Sequence, residues 1–230
     1  MSLCVKIVLG VRDMHSDPQR IVNFYDRFGS KQDSQGFYED AALDDLVGAG
    51  GFEQAHSILE VGCGTGKFAA RLLKNILGHD AHYVGIDVSS TMVALARGRL
   101  SPWKDRATIH HSSGDLDFSS LGGPFDRVIF TYVFDLFSDD QTRAALGAAH
   151  SVLRPQGRLC AAGLTVGETM LSRIASATWS LAHRVAPYAV GGCRPVRLID
   201  FLSQAQWRVL HRKVVVSLLI PSEVIVAEAV

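Results

Sequence analysis

The sequence predicts an α/β fold: a doubly wound, seven-stranded, mostly parallel sheet with an antiparallel last strand and a helical insertion after strand five. Three observations predict it. From Ser57 the chain alternates short apolar runs with amphipathic stretches, at the rhythm of strands and crossover helices. The first run breaks into alternating glycines, Gly62, Gly64 and Gly66, and then resumes with helical spacing. That is a buried strand feeding a tight turn and a helix N-terminus. The last two runs are joined across Pro221-Ser222, too short for a crossover, so they must pair antiparallel.

Composition narrows the class. At 230 residues, with 47% apolar and 20% charged residues, the chain reads as one globular domain with a full core. Lys plus Arg and Asp plus Glu both number 23, so no basic excess points to a nucleic-acid partner. Cys4, Cys63, Cys160 and Cys193 are scattered, which disfavours a disulfide framework or zinc site and fits a cytoplasmic location. No stretch has the roughly 18 uninterrupted apolar residues of a transmembrane segment. The apolar N-terminus, Leu3 to Leu9, is short and receives no function.

The elements follow in order. Residues 1–50 read as an N-terminal helical region, with helices over Pro18–Phe28 and Asp40–Val47. The polar stretch between them is either part of a lid or a surface loop. Residues 51–164 form the ligand-binding core. Its strands are Ser57–Val61, Tyr83–Ile86, Ala107–His110, Val128–Val133 and Arg158–Ala162. Its helices run from Gly66 to Leu77 with Gly78 as C-cap, from an N-cap at Ser89, and from a capping box at Ser138 and Gln141 to about Leu153. Residues 165–205 form the helical insertion, with a capping box at Thr165 and Glu168, a helix to about His183, and a short helix from Pro195. Residues 206–230 are the closing strand pair.

Ligands on such sheets lie beyond the carboxyl ends of the strands. The first strand end carries Glu60 and the G-x-G-x-G turn, which departs from both the dinucleotide fingerprint and the Walker A spacing. A carboxylate there would repel a pyrophosphate and welcome a cation. Cys63 is most simply a small residue that the turn tolerates. The second strand closes on Asp87, 21 residues after Gly66, placed to accept hydrogen bonds from ribose hydroxyls. The third leads into Gly114-Asp115-Leu116, where a carboxylate can accept an adenine amino group while Leu116 contacts the ring.

These residues resemble the first signatures of the class I S-adenosylmethionine-dependent methyltransferases, of the small-molecule or quinone type. Phe125-Asp126-Arg127-Val128-Ile129 resembles the family's entry to strand four, and Val152 to Leu159 its entry to strand five, with Gln156 in place of a common glycine. The resemblance runs from about Tyr25 to Thr165. It implies a Rossmann-like methyltransferase fold and S-adenosyl-L-methionine as cofactor. Gly62, Gly64 and Gly66 would then approach the methionine part, with Glu60 shaping that pocket. Asp87 would hold the ribose, Asp115 the adenine, and Thr131 would lie beside the methionine. Tyr25 would be a lid residue, and Cys63, Val88, Met92 and Leu116 complete the cofactor-binding set.

A sulfonium methyl is already activated, so alignment and exclusion of water are the enzyme's main tasks. A base is needed only for a protonated acceptor. Asp135, after strand four, and His183, in the insertion, are the catalytic candidates. Tyr132 lines the pocket or belongs to the core. Arg194 reaches an anionic group of the substrate or is an exposed turn residue. The apolar insertion (Met170, Leu171, Ile174, Trp179, Leu181) either forms an apolar pocket for a small or lipid-like substrate or packs on a second copy as a homodimer face. No metal is expected. The alternatives are a phospholipid amine methyltransferase, a dinucleotide-binding oxidoreductase or regulatory domain, and a non-catalytic S-adenosylmethionine-binding module.

Overall fold

The computed structural model describes residues 36–167 and 193–230, with side chains from Glu39 onward. Seven strands form one sheet: β1 Ser57–Val61, β2 His82–Asp87, β3 Ala107–His111, β4 Phe125–Thr131, β5 Leu153–Leu164, β6 Trp207–Ser217 and β7 Ile220–Ala229. Their order is β3-β2-β1-β4-β5-β7-β6, so the winding reverses between β1 and β4. β7 pairs antiparallel with both β5 and β6, and it alone runs against the rest. The helices are α1 Gly36–Gly50, α2 Lys67–Asn75, α3 Ser90–Arg99 and α4 Asp139–Val152.

The two faces of the sheet bury separate apolar layers. Ile58, Ile129 and Cys160 face Leu43, Leu46, Phe68, Leu72 and Ala96, from α1, α2 and α3. Leu59, Phe130 and Ala161 face Leu146 and Ala149 of α4. Alternation along each strand sends consecutive residues to opposite layers. β1 and β4 are buried almost end to end, as central parallel strands must be.

Local chemistry sets most of the boundaries. The Ser89 hydroxyl accepts from Met92 N–H and caps α3. Ser138 and Gln141 form the expected capping box at α4. Other expectations need correction. α2 stops at Asn75, short of Gly78, and the Arg106 guanidinium collects the carbonyl of Leu73 in its last turn and those of Gly78 and Ala81 beyond it. The Thr165 hydroxyl is buried without a hydrogen-bond partner, so it makes no capping bond, and Glu168 lies outside the described residues. From Pro195 the chain first runs extended, with Val196 N–H on Leu164 O, and only Leu198–Phe201 coils, as a single 3-10 turn.

The closing hairpin turns at Leu218-Leu219, both at positive φ, while Pro221 sits inside β7 opposite Val216. The Pro221 carbonyl accepts from Thr165 N–H where β5 is ending, so the missing proline donor costs the ladder little. No described helix is long and apolar enough to cross a membrane.

Candidate functional site

The glycine turn between β1 and α2 sits beside the reversal of the winding, where doubly wound sheets open a crevice. Gly62, Gly64 and Gly66 all have positive φ, at 70°, 53° and 74°. A side chain at Gly62 would also strike Val133, whose Cγ2 lies 2.5 Å from the Cβ position. Glycine is therefore required twice over there, by backbone and by space. The end of β2 pins the turn: Ile86 O accepts from Gly62 and Cys63 N–H, and Asp87 Oδ2 accepts from Gly64 N–H at 2.9 Å. Asp87 Oδ1 takes Ser89 N–H. Asp87 thus organises the turn and the start of α3 together. Gly66 is the N-cap of α2 and offers no side-chain bond, which leaves that helix end open toward the turn.

Glu60 lies beneath the turn and is 1% exposed. Its Oε2 accepts from Tyr83 O–H at 2.6 Å and its Oε1 from Thr131 O–H at 3.3 Å. Tyr83 precedes Gly85, the register partner of Glu60, and the absent side chain at Gly85 lets the tyrosine ring lie along β2 to reach the carboxylate. Burial pushes the Glu60 carboxyl up to about 7, against the pull of those two bonds. Burial likewise raises Asp87 and lifts the Cys63 thiol well above its ordinary range, with Asp87 and Glu60 adding to the latter. Cys63 is therefore a space-filling thiol with little thiolate character. Once Glu60 is ionised, above about pH 7, the floor of the crevice is anionic and favours a cationic ligand.

The cavity above this floor is lined by Glu60, Gly62, Cys63, Gly64 and Thr65, by Thr131 and Tyr132 from the end of β4, and by side chains of α1 and α2. From α1 come Glu39, Asp40 and Leu43; from α2 come Lys67, Phe68 and Arg71. The two helices are cross-tied by Asp40–Lys67 at 3.3 Å and Asp44–Arg71 at 2.6 Å. Asp45 ties the other side of α1 to His211 and Lys213 of β6. The acids on α1 and the bases on α2 recur at intervals of four, the one sequence signal for this wall.

Tyr132 stands at φ 55°, strained for a bulky residue, and its hydroxyl meets Ser222 Oγ at 2.9 Å. Of its two expected roles, the structure gives it both: cavity wall and packing against the core. Asp135 lies one short turn further on, fully buried in Phe134–Leu136. Its Oδ2 accepts from Leu164 N–H at 3.0 Å, while its Oδ1 has no partner and rests against Gly163. Burial, with a smaller contribution from Glu39, pushes its carboxyl up to about 8.

The remaining expected residues scatter. Val88 and Leu116 are half-buried, and Met92 is buried in α3. Asp115 is exposed, with its carboxylate on Ser113 Oγ at 2.6 Å, and does not line the cavity. Tyr25 and His183 lie outside the described residues. The Arg194 guanidinium is committed to Phe137 O and to Asp139, which removes the reading of it as an anion receptor. Tyr83, Arg99 and the α1 and α2 wall were missed by spacing alone.

Residues 58–157 match a family model described as a methyltransferase domain. The chain is 33% identical over 113 residues to an O-methyltransferase of Aspergillus nomiae, covering 46% of each chain. It is 32% identical over 114 residues to an uncharacterised methyltransferase of Oceanobacillus iheyensis, covering 49% of this chain and 46% of the other. It thus spans less than half the length of these relatives. Among solved structures, the N-methyltransferase NodS of Bradyrhizobium japonicum in complex with S-adenosylhomocysteine superposes with a TM-score of 0.63 at 17% identity, over 83% of this chain and 87% of that one. The sheet order, the glycine turn and these similarities agree: residues 58–157 are similar to a methyltransferase domain, and the chain has the fold of solved methyltransferases.

Proposed function

We propose that the protein transfers the methyl group of S-adenosylmethionine to an oxygen atom of a small, partly apolar acceptor. The carrying observation is the buried Glu60 carboxyl beneath three positive-φ glycines, an anionic floor under a backbone that a ligand can approach closely. The residues present fit the cofactor. The open N-terminus of α2 suits its carboxylate, Glu60 its cationic end, and Asp87, whose oxygens each keep a lone pair, its ribose hydroxyls. Asp115 and Leu116 are assigned to the adenine, and Thr131 to the methionine side.

When bound, S-adenosylmethionine supplies a methyl group on a sulfonium, and its C–S bond breaks as the acceptor oxygen forms the new bond. The chain's own tasks are to hold the acceptor in line, exclude water and receive a proton if the acceptor is a hydroxyl. Asp135 is the candidate for that proton once it is ionised, because burial pushes its carboxyl up to about 8, which makes the carboxylate a stronger base than usual, and one oxygen is unpartnered. His183 is the second candidate. Oxygen is favoured as the methylated atom because the Aspergillus nomiae relative is named an O-methyltransferase. The apolar stretch around Met170 to Leu181 supports a partly apolar, even lipid-like, acceptor.

The test is incubation with methyl-labelled S-adenosylmethionine and a panel of phenols, carboxylic acids and amines. Label on phenols or carboxylic acids, with S-adenosylhomocysteine released, is expected. Label on amines alone would overturn the oxygen assignment. Tight cofactor binding without transfer to any member would point to a binding module.

A further inference from the structure

The glycine turn has more conformational freedom than any other part of the crevice, because three of its five residues are glycines held at positive φ. Its front half is fixed by β2, through Ile86 O and the Asp87 carboxylate. Its back half has a different support. The Arg99 guanidinium, in the last turn of α3, donates through Nη1 to Thr65 O at 2.9 Å and also to the Thr65 hydroxyl. Thr65 is 4% exposed and lines the cavity. The next residue, Gly66, lies so close to the same helix that a Cβ there would come within 3.2 Å of Ala96 Cα. Two independent contacts, one polar and one steric, therefore seat the back of the turn on the end of α3.

We infer that Arg99 is a positioning residue for cofactor binding: it holds the Thr65-Gly66 half of the turn in its binding-ready shape. The inference deepens the S-adenosylmethionine reading of the turn and rests on it. A charged donor gripping both acceptors of one residue restricts the turn before the ligand arrives, so less ordering remains to oppose binding. Arg97 provides an internal control. It lies two residues earlier on α3 and ties Ile109 O of β3, through Nε at 3.2 Å and Nη2 at 2.8 Å, without touching the turn.

The test compares Arg99→Met, Arg99→Lys and Arg97→Met in the full chain, titrating S-adenosylhomocysteine calorimetrically and recording ligand-free thermal unfolding. Arg99→Met is expected to weaken S-adenosylhomocysteine about tenfold, and Arg99→Lys to recover part of that affinity. Arg97→Met should lower Tm while leaving the affinity within about twofold of wild type. Thr65→Val should weaken binding in the wild-type background and have a smaller effect alongside Arg99→Met. If Arg99→Met fails to fold, Arg99→Lys and Thr65→Val still decide, since each should weaken binding at unchanged Tm. Affinity equal to wild type in the Arg99 variants, or a loss in Arg97→Met as large as in Arg99→Met, would overturn the inference. Failure of the wild type itself to bind S-adenosylhomocysteine would instead overturn the cofactor reading.

Discussion

Glu60 and Asp135 carry protons in the folded chain that they would release when unfolded. Burial raises Glu60 from an ordinary 4.5 to about 7, and Asp135 from 3.8 to about 8. For an acid with a raised folded pKa, the native state binds the extra proton between the two values, so stability falls as pH rises through that window. The ligand-free protein should therefore lose stability between pH 3.8 and about 8, which thermal unfolding across that range will measure. Glu60→Gln keeps an acceptor for Tyr83 and removes the titration. It should raise the ligand-free Tm at about pH 8 and weaken S-adenosylmethionine roughly tenfold, exchanging binding for stability. Asp135→Asn keeps the bond from Leu164 and should likewise raise Tm above about pH 8. If Asp135 receives the acceptor's proton, the same variant should lose most methyl transfer while binding the cofactor normally.

Among the elements, α1 forms one wall of the cavity. Ala42, Leu43 and Leu46 are buried, and the acids of α1 grip α2 on one side and β6 on the other. Burial alone would raise Asp45, but the hydrogen bonds from Lys213 and His211 outweigh it and hold its carboxyl below 3.8. A depressed carboxyl stabilises above its unfolded value and loses that contribution as pH falls through the folded one. Asp45→Ala should therefore lower Tm at neutral pH by about 2–4 °C, a deficit that shrinks below pH 3.8 and in high salt. At the closing hairpin, two leucines occupy positive-φ positions that favour Asn-Gly. Replacing Leu218 with Asn and Leu219 with Gly should raise Tm by about 2–4 °C if the turn is strained as its dihedrals indicate. An unchanged or lower Tm would show that the leucines find compensating contacts.

Across the whole molecule, what was legible in the sequence was what is local. The glycine turn declares itself because only glycine tolerates its three dihedrals, and Ser89, Ser138 and Gln141 cap helices within four residues of themselves. The strand rhythm follows from burial on both faces, which needs no knowledge of partners. What stayed hidden depends on residues distant in the chain: Tyr83 reaching Glu60 across a missing side chain, Arg99 reaching back to Thr65, and Arg106 replacing an expected glycine cap. The expected cap at Thr165 fails at its side chain, which is buried without a partner while its N–H bonds Pro221 O of β7. The central claim is that this crevice binds a cationic adenosyl ligand. Calorimetric titration of the purified protein with S-adenosylmethionine and, separately, with NADH tests it most directly: saturable binding of S-adenosylmethionine alone is the expected result, and binding of NADH alone would contradict it.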